Sequence, residues 1–328
     1  YLADEWELAT ADRHLQHTDA LLPFQPLSFR DFMLSERHNI DAARGMIRRF
    51  HSASNLVTST FETLTRTTFP AFKPKKLFYR QPIYYMSNAM TIVPTGTPVA
   101  FPSYSRGLDF ELELAFVLRA PLSNASPAEA LDAVGAFVLL NDFSARDVQR
   151  AEMASGLGPQ KSKHFCSSMS ATAVTADEVL PRIDRLTGSV QINGKTVSTV
   201  DSAGLQWSVG DVLAHASRDE QLLPGELIGL GTLPGGSGME TGNWLRPGDS
   251  LRLVLDEIGE VHALIRETLA SQFGAQANET RILYGGSVGP KNAGEIFTVE
   301  GVDGALVGRA SLKAADFSAI ILGHPAAV

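Results

Sequence analysis

Of 328 residues only Cys166 is a cysteine, which excludes an internal disulfide and fits a reducing compartment. Long apolar runs are missing as well: none approaches the roughly 20 residues of a membrane-spanning helix. Cations are outnumbered, 28 Lys and Arg against 36 Asp and Glu, for a net charge of -8. No basic stripe stands out, which argues against a nucleic-acid partner. The nearest basic cluster, Lys73, Lys75 and Lys76 around Pro74, reads as a solvated loop. Together these absences point to a cytoplasmic protein with neither nucleic acid nor membrane as partner. The first residue is Tyr1 rather than Met, so an N-terminal piece is expected to be missing.

What remains is globular: 44% apolar and 20% charged residues, on a chain long enough for one large domain or two ordinary ones. Its most informative stretch is DFELELAFVL, residues 109–118. In a β-strand alternate side chains share a face, so Glu111 and Glu113 project together while Leu112 and Leu114 enter the core. Carboxylates are seldom buried without a partner. Asp142 ends the next apolar run, AFVLLND, and completes three oxygen ligands of the kind Mg²⁺, Mn²⁺ or Ca²⁺ prefers. The Glu pair fits equally well an edge strand that keeps its acids in water.

Upstream, SFRDFMLSERHNIDAARGMIRRF carries apolar residues at helical spacing and predicts a helix opening near Ser28. Asp31 and His38, seven positions apart, would then share a face after two turns, pairing a carboxylate with an imidazole suited to proton transfer. An ordinary surface acid and a satisfied histidine explain the same spacing. Residues 51–75 read as irregular, followed by β-like runs LFYRQPIYYMS and TIVP. Ser126, Pro127 and Glu129 fit the cap, first-turn and capping-box positions of a short helix running to about Ala133. In NDFSARDVQ, a cap at Ser144 would put Arg146 and Gln149 on one helix face, where they could meet a developing oxyanion or an ordinary surface acid.

Lys161 and Lys163 alternate in the tight segment GLGPQKSKHF, either held over a cleft or merely solvated. Asn193-Gly194 signals a hairpin, and strands are expected over 227–230 and 250–255. The glycine-rich GLGTLPGGSGMETGNW presents Thr232 and Glu240. It fits neither the phosphate loop nor the dinucleotide turn, so its glycines are expected to let backbone approach a ligand closely. Short strands with few helices between them imply a mixed, mostly β core up to about residue 260. Beyond it the grammar becomes β–α alternation: a helix over 261–273, then RILYG, PKNAGEIF, GALVG and SLKAADFSAIIL as strand, helix, strand, helix.

From about Ser28 to Val261 the ordered set D-F-x5-H, E-L-E, N-D-x-S-A-R-D-x-Q, K-x-F, G-T and P-G-D resembles the fumarylacetoacetate hydrolase family. The resemblance implies an α+β fold built on a mixed β-roll, a homodimer, a Mg²⁺ or Ca²⁺ cofactor and a small oxo-acid substrate. By the same resemblance Asp31, Glu111, Glu113 and Asp142 would hold the metal. His38 would activate water, oriented by Glu240. Arg146, Gln149 and Lys163 would hold substrate and developing negative charge, and Tyr85 and Thr232 would line the substrate cleft. The chain departs from the pattern at His164-Phe165-Cys166-Ser167, where a small residue and Thr are common, a difference that bears on substrate fit. The implied reaction is hydrolysis of a C–C bond in a β-diketone or acylpyruvate. Decarboxylation or tautomerisation of an oxo-acid on the same metal site is the alternative.

Residues 261–328 resemble the C-terminal part of triosephosphate isomerase: VHALIRETL, RILYGGSV, DGALVGRASL and KAADFSAII follow in order. Gly285, Gly286, Ser287 and Gly308 would match its phosphate cradle, and Arg309 stands where a second glycine is common. This tail supplies about two and a half of the eight β–α units a closed barrel needs, so isomerase activity is not expected. The expected organisation is an N-terminal region at 1–95, a catalytic β-roll at 96–260 and an incomplete β/α fragment at 261–328. Two further readings are an inactive fusion disrupted by its foreign tail, and a phosphate-binding module formed by that tail.

Overall fold

A computed structural model describes residues 21–97, 99–100, 102–256, 283–284, 288–298, 304–305, 307, 311 and 313–322. The chain divides into two compact units. One comprises Phe24–Val93 and Val99–Leu255, the other Tyr1–Pro23, Pro94–Pro98 and Asp256–Val328.

The first unit opens with β1 (Ser28–Phe32), α1 (Glu36–Phe50), α2 (Ser52–Thr65), β2 (Tyr84–Ser87) and β3 (Ile92–Pro94). Next come β4 (Leu108–Asp109), β5 (Glu111–Leu118), α3 (Pro127–Leu131), β6 (Val134–Asp142), β7 (Ser144–Ala145) and α4 (Arg146–Ala154). The unit continues through β8 (Ser167–Met169), β9 (Val174–Thr175), α5 (Ala176–Val179), β10 (Thr187–Ile192) and β11 (Lys195–Asp201). It closes with α6 (Val209–Ala216), β12 (Glu226–Ser237), α7 (Gly238–Thr241) and β13 (Leu251–Leu255).

The main sheet runs β2-β1-β12-β5-β6-β8-β3, with β9 also on β6. β1 pairs with β12 in parallel, whereas β1–β2, β12–β5, β5–β6 and β6–β8 are antiparallel. This curled mixed sheet places β1 and β2, from the expected N-terminal region, beside the strands of the expected catalytic region. β11-β10-β13 form a second sheet. Its hairpin turns at Asn193 and Gly194, both with positive φ, as a two-residue type I′ turn requires.

Several expectations give way. Ser28–Phe32 is a strand, not the start of a helix, so Asp31 and His38 belong to different elements. Four of its five residues are buried, and a strand covered on both faces loses the alternation that marks a strand in sequence. The helix begins at Glu36, where the Ser35 side chain accepts a hydrogen bond from the His38 N–H. Residues 52–65 form α2, with Ala53, Leu56, Val57, Phe61 and Leu64 at helical spacing, although Thr58 is their sole buried residue. Ser144 does not cap α4: it pairs with Asp109 in the β4–β7 ladder, and α4 starts at Arg146 with no side-chain cap. Within 77–87 the strand is confined to Tyr84–Ser87. The Ser126–Glu129 capping box is present, on a helix that stops at Leu131.

In the second unit, β14 (Leu283–Tyr284) and β15 (Gly304–Ala305) pair in parallel, with α8 (Ala293–Ile296) between them and α9 (Ala314–Leu322) after them. Val288, Ala293 and Ile320 form a small buried cluster there. The expected helix over 261–273, the expected phosphate cradle at Gly285, Gly286, Ser287 and Gly308, and Arg309 lie outside the described residues.

Candidate active site

The register of the main sheet lines the candidate residues up across it. Asp31 on β1 faces Tyr85 on β2 and Gly229 on β12; Thr232 on β12 faces Glu113 on β5; Asp142 at the end of β6 faces Ser167 on β8. Carboxylate oxygens of Asp31, Glu113 and Asp142, all buried, lie within 4.8 Å of one another. A Cβ at Gly229 would sit 2.7 Å from Asp31 Oδ1 and 3.3 Å from Glu113 Oε2, so this glycine makes the room into which two acids converge.

The hydrogen bonds show what the cluster already holds. Tyr85 OH lies 2.7 Å from Asp31 Oδ2 and 2.6 Å from Asp142 Oδ2, and its single proton satisfies one of them at a time. Ser167 Oγ donates to Asp142 Oδ1 at 3.0 Å, and Thr232 Oγ1 to Glu113 Oε1 at 3.3 Å. Lys163, buried, donates to Asp142 Oδ2 at 2.6 Å and also to Glu111. Asp31 Oδ1 and Glu113 Oε2 are buried without any hydrogen-bond partner.

Both of these carboxyls hold their protons more tightly than an ordinary carboxyl. Asp31 is pushed up to about 7, by burial first and then by the Asp142 charge. Burial, followed by the charges of Asp31, Glu111 and Asp142, raises Glu113 well above the ordinary carboxyl range. Unpartnered buried oxygens on oxygen-only donors are the signature of a hard divalent cation. Asp31 Oδ1 and Glu113 Oε2 therefore fit such an ion, with an Asp142 oxygen close enough to join them.

Glu111, expected as a fourth ligand, is not in the group within 4.8 Å. Its Oε1 lies 2.7 Å from an Arg146 nitrogen and its Oε2 meets Lys163. Burial opposes ionisation of Glu111, but Arg146 and Lys163 outweigh it and hold the carboxyl well below its usual range. Arg146, expected to grip substrate, is 1% exposed and faces protein groups at each guanidinium nitrogen, although one terminal nitrogen makes no hydrogen bond. Nε donates to Asp109 at 2.8 Å, one terminal nitrogen to Gln149 at 2.9 Å, and the other meets Glu111. These contacts seat the guanidinium beside Asp109, Glu111 and Gln149.

His38 heads the buried stripe of α1, His38, Ala42 and Gly45, which faces α7 and β12. Its Nδ1 lies 3.1 Å from Glu240 Oε2. Glu240 is fixed in turn by N–H groups of Gly235 and Ser237 and by Ser237 Oγ. Burial lowers the imidazole's affinity for a proton, yet the Glu240 carboxylate more than compensates and raises it above its ordinary value. The contact is an ion pair rather than a well-formed hydrogen bond; a proton on Nδ1, facing the carboxylate, would leave Nε2 as the basic nitrogen.

Sequence reading overlooked Asp109. It is fully buried and accepts four hydrogen bonds, from Arg146 Nε and the N–H groups of Phe110, Gly238 and Met239. The signal was available: Asp109, Glu111 and Glu113 repeat an acid at every second position of one run.

Comparison with known proteins agrees with this layout. The family described as Fumarylacetoacetate (FAA) hydrolase C-terminal matches residues 50–266, and the Triosephosphate isomerase family matches residues 250–323. "Oxaloacetate tautomerase FAHD1, mitochondrial" of Bos taurus is 30% identical over 155 residues, 47% of this chain and 70% of that protein. The tail is 63% identical over 65 residues to Triosephosphate isomerase of Xanthobacter flavus, 20% of this chain and 26% of that enzyme. The chain thus spans about a quarter of the length of the triosephosphate isomerases it matches. Among solved structures, a fumarylacetoacetate hydrolase from Exiguobacterium antarcticum superposes with TM-score 0.53 at 20% identity, covering 73% of this chain and 74% of that one. A 5-carboxymethyl-2-hydroxymuconate delta-isomerase from Mycobacterium smegmatis gives 0.52 at 18% identity, covering 73% and 77%. Those two likenesses establish the fold; the match over residues 50–266, together with the bovine relative, shows that this chain belongs to the fumarylacetoacetate hydrolase family.

Proposed function

We propose that this chain is a divalent-cation-dependent hydrolase that cleaves a C–C bond in a β-diketone or acylpyruvate-type oxo-acid. The observation that carries the reading is the His38–Glu240 pair, a buried imidazole 3.1 Å from a buried carboxylate, supported by the same buried network that ties down the acid cluster. A Mg²⁺ or Ca²⁺ ion held by Asp31, Glu113 and Asp142 would supply Lewis-acid polarisation of the substrate's oxygens. His38 Nε2 takes a proton from water while Glu240 stabilises the resulting imidazolium. The hydroxide oxygen bonds to the substrate carbonyl carbon, and the adjacent C–C bond breaks. Its electron pair leaves as an enolate, which recovers the proton from His38 to give a ketone beside a carboxylic acid, and the acid then loses its own proton to solvent. Lys163 sets positive charge against that enolate, and Tyr85 keeps its proton because burial, then the charges of Asp142 and Asp31, raise its phenol well above the usual range.

His38→Ala is expected to lower cleavage of an acylpyruvate by about 10²–10⁴-fold while leaving Mg²⁺ affinity by calorimetry near wild type. Chelation is expected to abolish turnover in the wild type. Unchanged turnover in the variant removes His38 from the mechanism. A second reading, oxo-acid tautomerisation on the same acids, is favoured by the name of the bovine relative. Product analysis separates the two, since hydrolysis yields two shorter acids or ketones and tautomerisation conserves every carbon.

A further inference from the structure

The candidate base and the candidate metal acids sit on different elements, so some rigid connection must set the distance between them. On one side Lys163 bonds both Asp142 and Glu111; Asp109 links Glu111, through Arg146, to the other side. Asp109 Oδ2 accepts from Arg146 Nε at 2.8 Å, and the same guanidinium holds Glu111 Oε1 at 2.7 Å. Asp109 also accepts from the N–H of Gly238 at 2.8 Å and of Met239 at 2.9 Å, the two residues just before Glu240. A continuous chain of contacts therefore runs Glu111–Arg146–Asp109–α7–Glu240–His38.

We propose that Asp109 is a positioning residue for catalysis, the carboxylate that locks the His38–Glu240 pair to the acid cluster. The argument is one of donor count. Four N–H donors converge on its two oxygens, which a carboxylate can satisfy and an amide cannot. In Asp109→Asn the amide nitrogen would have to face either backbone N–H groups or the Arg146 Nε–H, and a buried donor set against a donor forces one side to move. The displaced partner is either α7, which carries Glu240, or Arg146, which steadies Glu111. The charged groups around His38 are Glu240, Glu111 and Arg146, and Asp109 is bonded to the last of these.

The kinetic arm rests on the proposed hydrolysis; the other measurement does not. In Asp109→Asn, kcat for acylpyruvate cleavage is expected to fall about 10–100-fold with KM little changed, the range typical of outer residues that orient a site. The His38 imidazole, followed by NMR in the full-length protein, is expected to titrate at lower pH than in wild type, because Glu240 is displaced and Arg146 is less neutralised. Asp109→Glu, which keeps the charge, should restore part of the shift and serves as the test if the Asn variant does not fold. A purely structural role would lower Tm and leave His38 titration unmoved, and that result in a folded variant overturns the proposal. Should wild type hydrolyse no acylpyruvate, the reaction assignment falls while the NMR comparison still decides the role of Asp109.

Discussion

His38 and Glu240 make one unit whose charge state governs its use. Burial works against a protonated imidazole, but the facing carboxylate wins and the folded affinity for a proton exceeds the ordinary one. Glu240 moves the other way, held below its usual range as His38 outweighs the burial that raises it. The imidazolium form of the pair therefore adds stability that is fully present below the ordinary imidazole value of about 6.5. That stability is lost as pH rises through the raised folded value. A base must be neutral, so the acid limb of the kcat/KM profile is expected to lie above the ordinary imidazole range. Glu240→Gln removes the stabilising charge and should move that limb to lower pH, while lowering kcat because the tautomer is less firmly fixed. A limb that stays in place shows that another group titrates in it. The acids were the legible part of this site: Glu111 and Glu113 follow from strand alternation, and Asp142 from its place after an apolar run. What Glu111 and Arg146 do was not legible, since the choice between ligand, substrate clamp and buried strut depends on which cations the fold brings to the same carboxylate.

At the scale of elements, α1 delivers His38 only because it lies against α7 at very short range. A Cβ on Gly45 would stand 1.8 Å from the Met239 carbonyl oxygen, and Arg48 donates to the Glu240 carbonyl at 2.9 Å. Gly45→Ala must push the two helices apart, and overpacking of this kind costs about 1–3 kcal/mol. The expected result is a lowered Tm together with a loss of kcat as His38 leaves Glu240, and Mg²⁺ affinity should change little because the acids sit on sheet strands. An unaltered kcat with lowered Tm would separate helix packing from the base. Elements with one exposed face or a strong local signal were readable, as the Ser126–Glu129 capping box and the Asn193-Gly194 turn show. β1 and α2 were missed for different reasons: β1 is covered on both sides and shows no alternation, while α2 carries Ala53, Leu56, Val57, Phe61 and Leu64 at helical spacing, a signal that was available and overlooked.

For the whole molecule the question is what the tail contributes. Every candidate site residue, from Asp31 to Glu240, belongs to the unit formed by Phe24–Val93 and Val99–Leu255. The change of grammar near residue 260 was visible in sequence because β–α alternation differs from short antiparallel strands, and the two family matches overlap only over 250–266. Among the described residues of the second unit the strands are two residues each, and Val288, Ala293 and Ile320 form a buried cluster of their own. No helix among the described residues is long and apolar enough to cross a membrane. A chain ending at Asp256 keeps β13 and its pairing with β10. Because a unit with its own core can fold alone, this shortened protein is expected to keep the parent's Mg²⁺ affinity and acylpyruvate turnover to within about twofold, and to unfold at nearly the same Tm. Loss of turnover with retained metal binding would mean that the tail acts on the substrate side of the site. Loss of both would mean that the first unit does not fold without it, and the hydrolase would then have to be understood as a property of the joined chain.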